Sequence, residues 1–219
     1  MSSTLPFRLE KEMLPIASER LPAALGLTGT DWCSLLTPMI GRVIPDLLFG
    51  QFWPVEASVP VLTHVEASVL SLVHGEVEFL PDDVLSRIFL PDVTAARTFR
   101  TLEKKGALER TPSGALRVSQ NLAAATMEIV AVELKLKRWR DACVQAKGYM
   151  PFADRAYAVL DGNQLKLTDE IQSAFREAGV GLVLQFGWDF QLVIESNSHR
   201  VMSSDRVIAA QKLARVALA

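Results

Sequence analysis

The chain has 219 residues, a net charge of −2, 49% apolar side chains and 22% charged ones. That length and composition suit one large globular domain or two small ones. They exclude a disordered chain, and also a strongly basic general nucleic-acid binder whose affinity comes from phosphate neutralisation. Any nucleic-acid contact must therefore be local. Cys33 and Cys143 are the only cysteines, too few for a disulfide framework or a four-thiolate metal site, so a reduced, cytoplasmic setting is expected. The N-terminal segment carries Arg8, Glu10, Lys11 and Glu12 and no long apolar run, which does not read as a signal peptide. No stretch approaches the ~20 apolar residues of a membrane span, and no membrane partner is expected.

In chain order, residues 7–25 read as a helix with Leu9, Met13, Ile16, Ala17, Leu21 and Ala24 on one face. Pro15 marks its start or a kink. Residues 32–49 read as two strands around a turn at Thr37–Gly41, and 51–60, with Pro54 and Pro60, as a linker. A different texture follows. Thr63 and Glu66 have capping-box spacing for a helix to about His74, and 81–89 gives a short second helix. Asp92 caps a third, which Gly106 stops after Lys105. Residues 108–118 read as a hairpin with Pro112-Ser-Gly114 at its tip. Three helices and a two-stranded wing make a winged helix-turn-helix over 61–118. Beyond it come a strand at 127–137, a helix at 138–149 and a strand at 155–161. A helix over 169–178 capped by Thr168, a closing hairpin and a last helix at 204–218 complete the chain.

The strand at 127–137 carries the chemistry. Residues two apart on a strand share a face, so Ile129, Ala131, Glu133, Lys135 and Lys137 lie on one side, and Val130, Val132, Leu134 and Leu136 on the other. A carboxylate and an ammonium on a central strand are costly to bury unless paired or bound to a metal. Asp46, after Pro45 and before Leu47-Leu48-Phe49, is a second carboxylate in an apolar run. Two such groups on neighbouring strands form a hard oxygen site suited to Mg2+. A lysine beside them can polarise water and offset charge on a phosphate. In the next helix Gln145 and Tyr149, four apart, share a helix face.

Together these residues resemble the PD-(D/E)xK nuclease superfamily. Pro45-Asp46 is similar to its PD motif, Glu133-Leu134-Lys135 to its E-x-K motif, and Gln145-x-x-x-Tyr149 to the Q-x-x-x-Y motif of its RecB-like branch. The resemblance covers roughly residues 7–60 and 121–195. It implies an α/β restriction-endonuclease-like core of α-β-β-β-α-β order, formed by 1–60 and 119–219. The 87 residues that separate Asp46 from Glu133 are explained by the winged helix inserted at 61–118. It further implies Mg2+ or Mn2+ held by Asp46, Glu133, the Leu134 carbonyl and Glu10, and a catalytic set of Asp46, Glu133, Lys135, Gln145 and Tyr149. The substrate would be DNA. Cutting both strands of a duplex would call for a homodimer, which stays open.

Phosphate contacts are expected from Lys137 and Arg138 beside the site and from Arg97, Arg100, Lys104 and Lys105 on the third helix. Residues 61–118 nevertheless hold seven basic and eight acidic side chains. Simpler readings stand beside these: a solvated Glu133–Lys135 pair, a turn aspartate at 46, packing roles for Gln145 and Tyr149. At the level of the whole chain, the alternative is a catalytically silent DNA-binding regulator that uses the winged helix, or an adaptor whose wing docks a protein.

Overall fold

The structure is a computed structural model. It describes residues 5–217 except 28, 30, 52–59, 89, 120–127 and 201. Most of the expected linker at 51–60 lies outside the described residues.

The chain forms a mixed α/β structure of seven helices and eight strands among the described residues. Helix α1 is Glu10–Ala24, strands β1 and β2 are Trp32–Leu36 and Leu47–Gln51, and helices α2, α3 and α4 are His64–Val73, Pro81–Leu85 and Asp92–Lys104. The hairpin β3–β4 spans Leu108–Arg110 and Leu116–Val118. Then come β5 (Glu128–Lys135), α5 (Trp139–Lys147), β6 (Arg155–Asp161), α6 (Asp169–Ala178), β7 (Gly181–Phe186), β8 (Asp189–Ile194) and α7 (Ser204–Ala217).

Six strands make one sheet in the order β1-β2-β5-β6-β7-β8. The β5, β6 and β7 strands run parallel, while β1, β2 and β8 join antiparallel. Pairing of β2 with β5 brings together segments separated in sequence by α2, α3, α4 and the β3–β4 hairpin. The central strands read as nearly continuous apolar runs because both their faces are covered. On β5, Ile129 and Ala131 enter one core cluster, and Val130, Val132 and Leu134 enter the other. This is the period-two alternation of a strand.

The smaller core lies under α1, whose Met13, Ala17 and Leu21 are fully buried. Leu9, placed on that face by periodicity, is half exposed because it precedes the first turn. The helix begins at Glu10 and runs through Pro15 and Pro22, so Pro15 does not start it. Glu12 closes its N-terminus, accepting the N–H groups of Arg8 and Leu9. The larger core lies on the opposite face beneath α5, α6 and α7, and it runs on through Leu62, Ala67, Leu70, Phe99, Leu102 and Leu116. Helix α7 packs on β1 and β2 and also receives α2.

Local signals in α2 to β4 are mostly met. Thr63 and Glu66 form a reciprocal cap, Glu66 N–H to Thr63 Oγ1 at 3.3 Å and Thr63 N–H to Glu66 Oε2 at 2.6 Å. Asp92 is not the cap of α4. Pro91 takes that position with no side-chain bond, and Asp92 is the first helical residue. Its carboxylate still lies at the positive end of the helix dipole. Phe79 exchanges two 2.8 Å backbone bonds with Leu116, which ties the α2–α3 connection to the hairpin.

Candidate active site

The sheet register assembles the site. Leu47 pairs with Val132 and Leu48 with Ala131, so continuing that register by one residue sets Asp46 opposite Glu133. Asp46 Oδ2 accepts the Leu134 N–H at 2.7 Å, and the Asp46 carbonyl accepts the Thr37 N–H at 2.9 Å. The carboxylate is thus held at the carboxyl ends of the parallel strands. Open α/β sheets place their ligands at such ends.

Glu133 and Lys135 are both buried, with side chains 5% and 10% exposed. Lys135 Nζ bonds Glu133 Oε1 and lies 3.3 Å from the Leu134 carbonyl oxygen. The Tyr149 hydroxyl donates to the other Glu133 oxygen, Oε2, and lies 3.5 Å from the Ile44 carbonyl. Both oxygens of Glu133 are therefore fixed from different elements, β5 and the segment after α5. Glu10 reaches in from α1, its Oε2 3.6 Å from Lys135 Nζ and its Oε1 3.8 Å from Arg138.

Electrostatically the cluster is a mutual compromise. Burial pushes the Asp46 carboxyl above its ordinary pKa, against the Leu134 N–H and the Lys135 charge, which favour the anion. Burial likewise raises Glu133, with repulsion from Asp46 adding to it and the bonds from Lys135 and Tyr149 opposing it. For Lys135, burial works against the ammonium. The bond to Glu133 and the nearby Glu133, Glu10 and Asp46 charges outweigh it and hold the lysine above its usual value. Tyr149 is pushed far up, by burial first and then by its carboxylate partner, so it stays a neutral donor.

Asp46, Glu133, Lys135, Tyr149 and Glu10 thus come together. Gln145 does not join them. It is exposed on α5 and makes no hydrogen bond among the described residues. The expected shared face with Tyr149 fails because α5 ends at Lys147. The Tyr149 N–H bonds the Ala146 carbonyl at 3.0 Å, a three-residue step, and this tighter turn carries Tyr149 out of helical phase. Lys137 and Arg138 are exposed at the end of β5, lining a shallow cavity of about 370 Å³ with Trp139, Arg140 and Asp141. Arg138 also pairs with Asp141 at 3.1 Å, and the Arg140 guanidinium lies over the Trp139 ring, 4.3 Å from its centroid.

On α4, Arg97, Arg100 and Lys104 are exposed and free of ion pairs among the described residues. Lys105 differs. Its Nζ bonds both oxygens of buried Glu66 at 2.7 Å and the Val61 carbonyl at 2.8 Å. It is a strut between α4 and the start of α2 rather than a free cation. Burial works against the Glu66 carboxylate, but its bonds from Lys105 and Thr63 hold its pKa below the ordinary value.

Two buried carboxylates were not singled out from sequence. Asp154, at the start of β6, accepts the Ile129 N–H and the Arg206 guanidinium, each at 2.7 Å. Asp161, at the end of β6, accepts the N–H groups of Phe7 and Asn163, both at 2.9 Å. Both latch distant segments to the sheet, and neither joins the cluster. Their positions at strand ends, a carboxylate flanking an apolar run, were the available signal.

No protein-family model and no curated protein matches the chain. Among solved structures it is similar to the SPO1766 protein of unknown function from Silicibacter pomeroyi. The TM-score is 0.45 with 14% identity, over 98% of this chain and 89% of that one. A likeness of that size carries no functional argument.

Proposed function

We propose that the chain is a metal-dependent nuclease acting on DNA, with a PD-(D/E)xK-type core and an inserted winged helix-turn-helix formed by α2, α3, α4 and the β3–β4 hairpin. One observation carries the reading: Asp46, Glu133 and Lys135 converge at the carboxyl end of β5, although 87 residues separate the two carboxylates in sequence.

The donors suit a hard divalent cation. Asp46, Glu133 and the Leu134 carbonyl are all oxygen ligands, and Mg2+ is commonly held by one or two carboxylates with waters completing its shell. Among the described residues no three His, Cys, Asp or Glu side chains are grouped so as to hold a metal together, so the proposed donors are these two carboxylates and the carbonyl alone. Both carboxyls are pushed up in pKa by burial, and a bound cation would reverse that pressure. When bound, such an ion polarises a phosphoryl oxygen and lowers the pKa of water.

The chain's own groups do the rest. Lys135, steered by Glu133 and Glu10, orients the attacking water and offsets charge that grows on the phosphate. Tyr149 fixes the second Glu133 oxygen and prevents the carboxylate from turning. Exposed Lys137 and Arg138 stand at the rim, where a phosphate backbone would pass. The test is nicking of supercoiled plasmid with Mg2+ or Mn2+ by the wild type beside Asp46→Ala and Lys135→Ala. Metal-dependent nicking lost in both variants is expected. Nicking that survives both would relocate the active centre.

A second reading rests on α4. The unpaired Arg97, Arg100 and Lys104 would also serve a catalytically silent DNA-binding regulator. Salt-sensitive duplex binding without cleavage of plasmid or single strands would favour it.

A further inference from the structure

The loop between β1 and β2 projects apolar side chains beside the candidate active site, where burial would be the norm. Leu36 is 53% exposed, Met39 61% and Ile44 52%. Leu36 closes β1, and Met39 and Ile44 lie on the loop after it, so one hairpin exposes three apolar side chains; contiguous exposed apolar patches mark contacts, whereas scattered single residues are ordinary. The loop is firmly built. Ile40 and Val43 exchange backbone bonds of 2.9 and 3.0 Å around Gly41-Arg42, and Ile40 is fully buried. Gly41 has φ +57°, and a Cβ there would meet Asp205 Oδ2 at 2.5 Å, so the turn demands glycine. Thr37 has φ +44°, a rare conformation for a β-branched residue, held here by its N–H bond to the Asp46 carbonyl. The base of the loop is bonded to the site through the Asp46 carbonyl, and the Ile44 carbonyl lies 3.5 Å from the Tyr149 hydroxyl.

Charge selects the occupant. Between Asp31 and Asp46 the one charged residue is Arg42. It is exposed, unpaired among the described residues, and lines a cavity of about 420 Å³ with Gly41, Val43, His64 and Asp205. Apolar tips beside a cation suit a partner with flat apolar surfaces and a negative backbone. Met, Leu and Ile are among the side chains that proteins insert between base steps. Ile44 and Asp46 are two residues apart, ~7 Å at most along the chain, or about two steps of a stacked strand at ~3.4 Å each.

We infer that the β1–β2 loop is a wedge that engages an opened base step, directing the proposed nuclease to places where duplex DNA gives way to unpaired strand. This rests on the nuclease reading. The wedge is Leu36, Met39 and Ile44, and Arg42 grips the flanking phosphate.

The test uses the full chain and two labelled DNAs, with Ca2+ in place of Mg2+ for the binding step. One is a fork whose arms part beside a 2-aminopurine; the other is the same sequence fully paired. The wild type should bind the fork at least about tenfold more tightly, equivalent to ~1.4 kcal/mol, with brighter 2-aminopurine emission as the base unstacks. The double variant Leu36→Ser/Met39→Ser should lose that preference and the emission change, yet keep its paired-duplex affinity and melting temperature. Arg42→Ala should weaken both probes and lower the salt slope by about one. Equal fork preference in wild type and double variant would overturn the wedge. So would a double variant that changes only its mass by light scattering, which would make the loop a contact between two copies. Metal-dependent plasmid nicking without fork preference sinks the wedge alone. Absence of both nicking and DNA binding sinks the nuclease reading and the wedge with it.

Discussion

Replacing Lys135 with methionine keeps the length of the side chain and removes the ammonium that buried Glu133 shares with partly exposed Glu10. Glu133 would retain the Tyr149 hydroxyl and lose the bond to its other oxygen. Removing one partner of a buried pair costs about 3–5 kcal/mol. The surviving tyrosine bond places Lys135→Met at the lower end, about 3 kcal/mol. With a urea dependence of about 2–3 kcal/mol per molar, the unfolding midpoint should fall by about 1–1.5 M at neutral pH. The pH dependence adds a sharper check. Asp46 and Glu133 are raised in the folded state, so each binds its proton more tightly folded than unfolded. Their contribution is fullest below the ordinary carboxylate range and is lost as pH rises through the folded values. Without Lys135, Glu133 rises further. The deficit of the variant should therefore shrink as pH falls towards 4.5, the ordinary value for glutamate. Urea titrations of both proteins across that range provide the measurement. A deficit under about 1 kcal/mol at neutral pH, the scale of solvated pairs, or one that grows on acidification, would refute the picture of a buried shared ammonium.

Mg2+ or Mn2+ at about a hundred times its dissociation constant should stabilise the wild type by ~2.7 kcal/mol, raising the melting temperature by about 5–10 °C; Asp46→Asn should show none of that gain. Arg206→Met leaves Asp154 buried with the Ile129 N–H alone and should cost about 3–5 kcal/mol by chemical denaturation, with no dependence on metal. Lys105→Ala strands the buried Glu66 carboxylate and should cost about 1–3 kcal/mol without altering the salt slope of DNA binding. Arg100→Ala should do the reverse, lowering the slope by about one and leaving the melting temperature in place.

Chemistry local to one strand or one turn was legible in the sequence. The alternation along Glu128–Lys135 set Glu133 and Lys135 on one face, because a pleated strand leaves no other choice. The Thr63–Glu66 cap and the Thr168 cap follow from side-chain reach over one helical turn. Gln145 was misplaced because periodicity cannot see where a helix tightens into its last turn. Lys105 was misplaced because its partner Glu66 lies 39 residues earlier.

The sequence by itself determined which residues could do acid, metal and phosphate chemistry, since strand and helix periods are properties of the local backbone. Only the tertiary structure decided which of them meet. Asp46 reaches Leu134 because β2 pairs antiparallel with β5 across the whole α2–β4 segment. That register is fixed by burial of Leu47, Leu48, Ala131 and Val132 in the two cores, and a slip of one residue would turn every side chain to the wrong face. The exposed loop beside the site was equally hidden. The turn expected at Thr37–Gly41 includes Met39, but that Leu36 and Ile44 also face solvent is decided by the paths of β1 and β2.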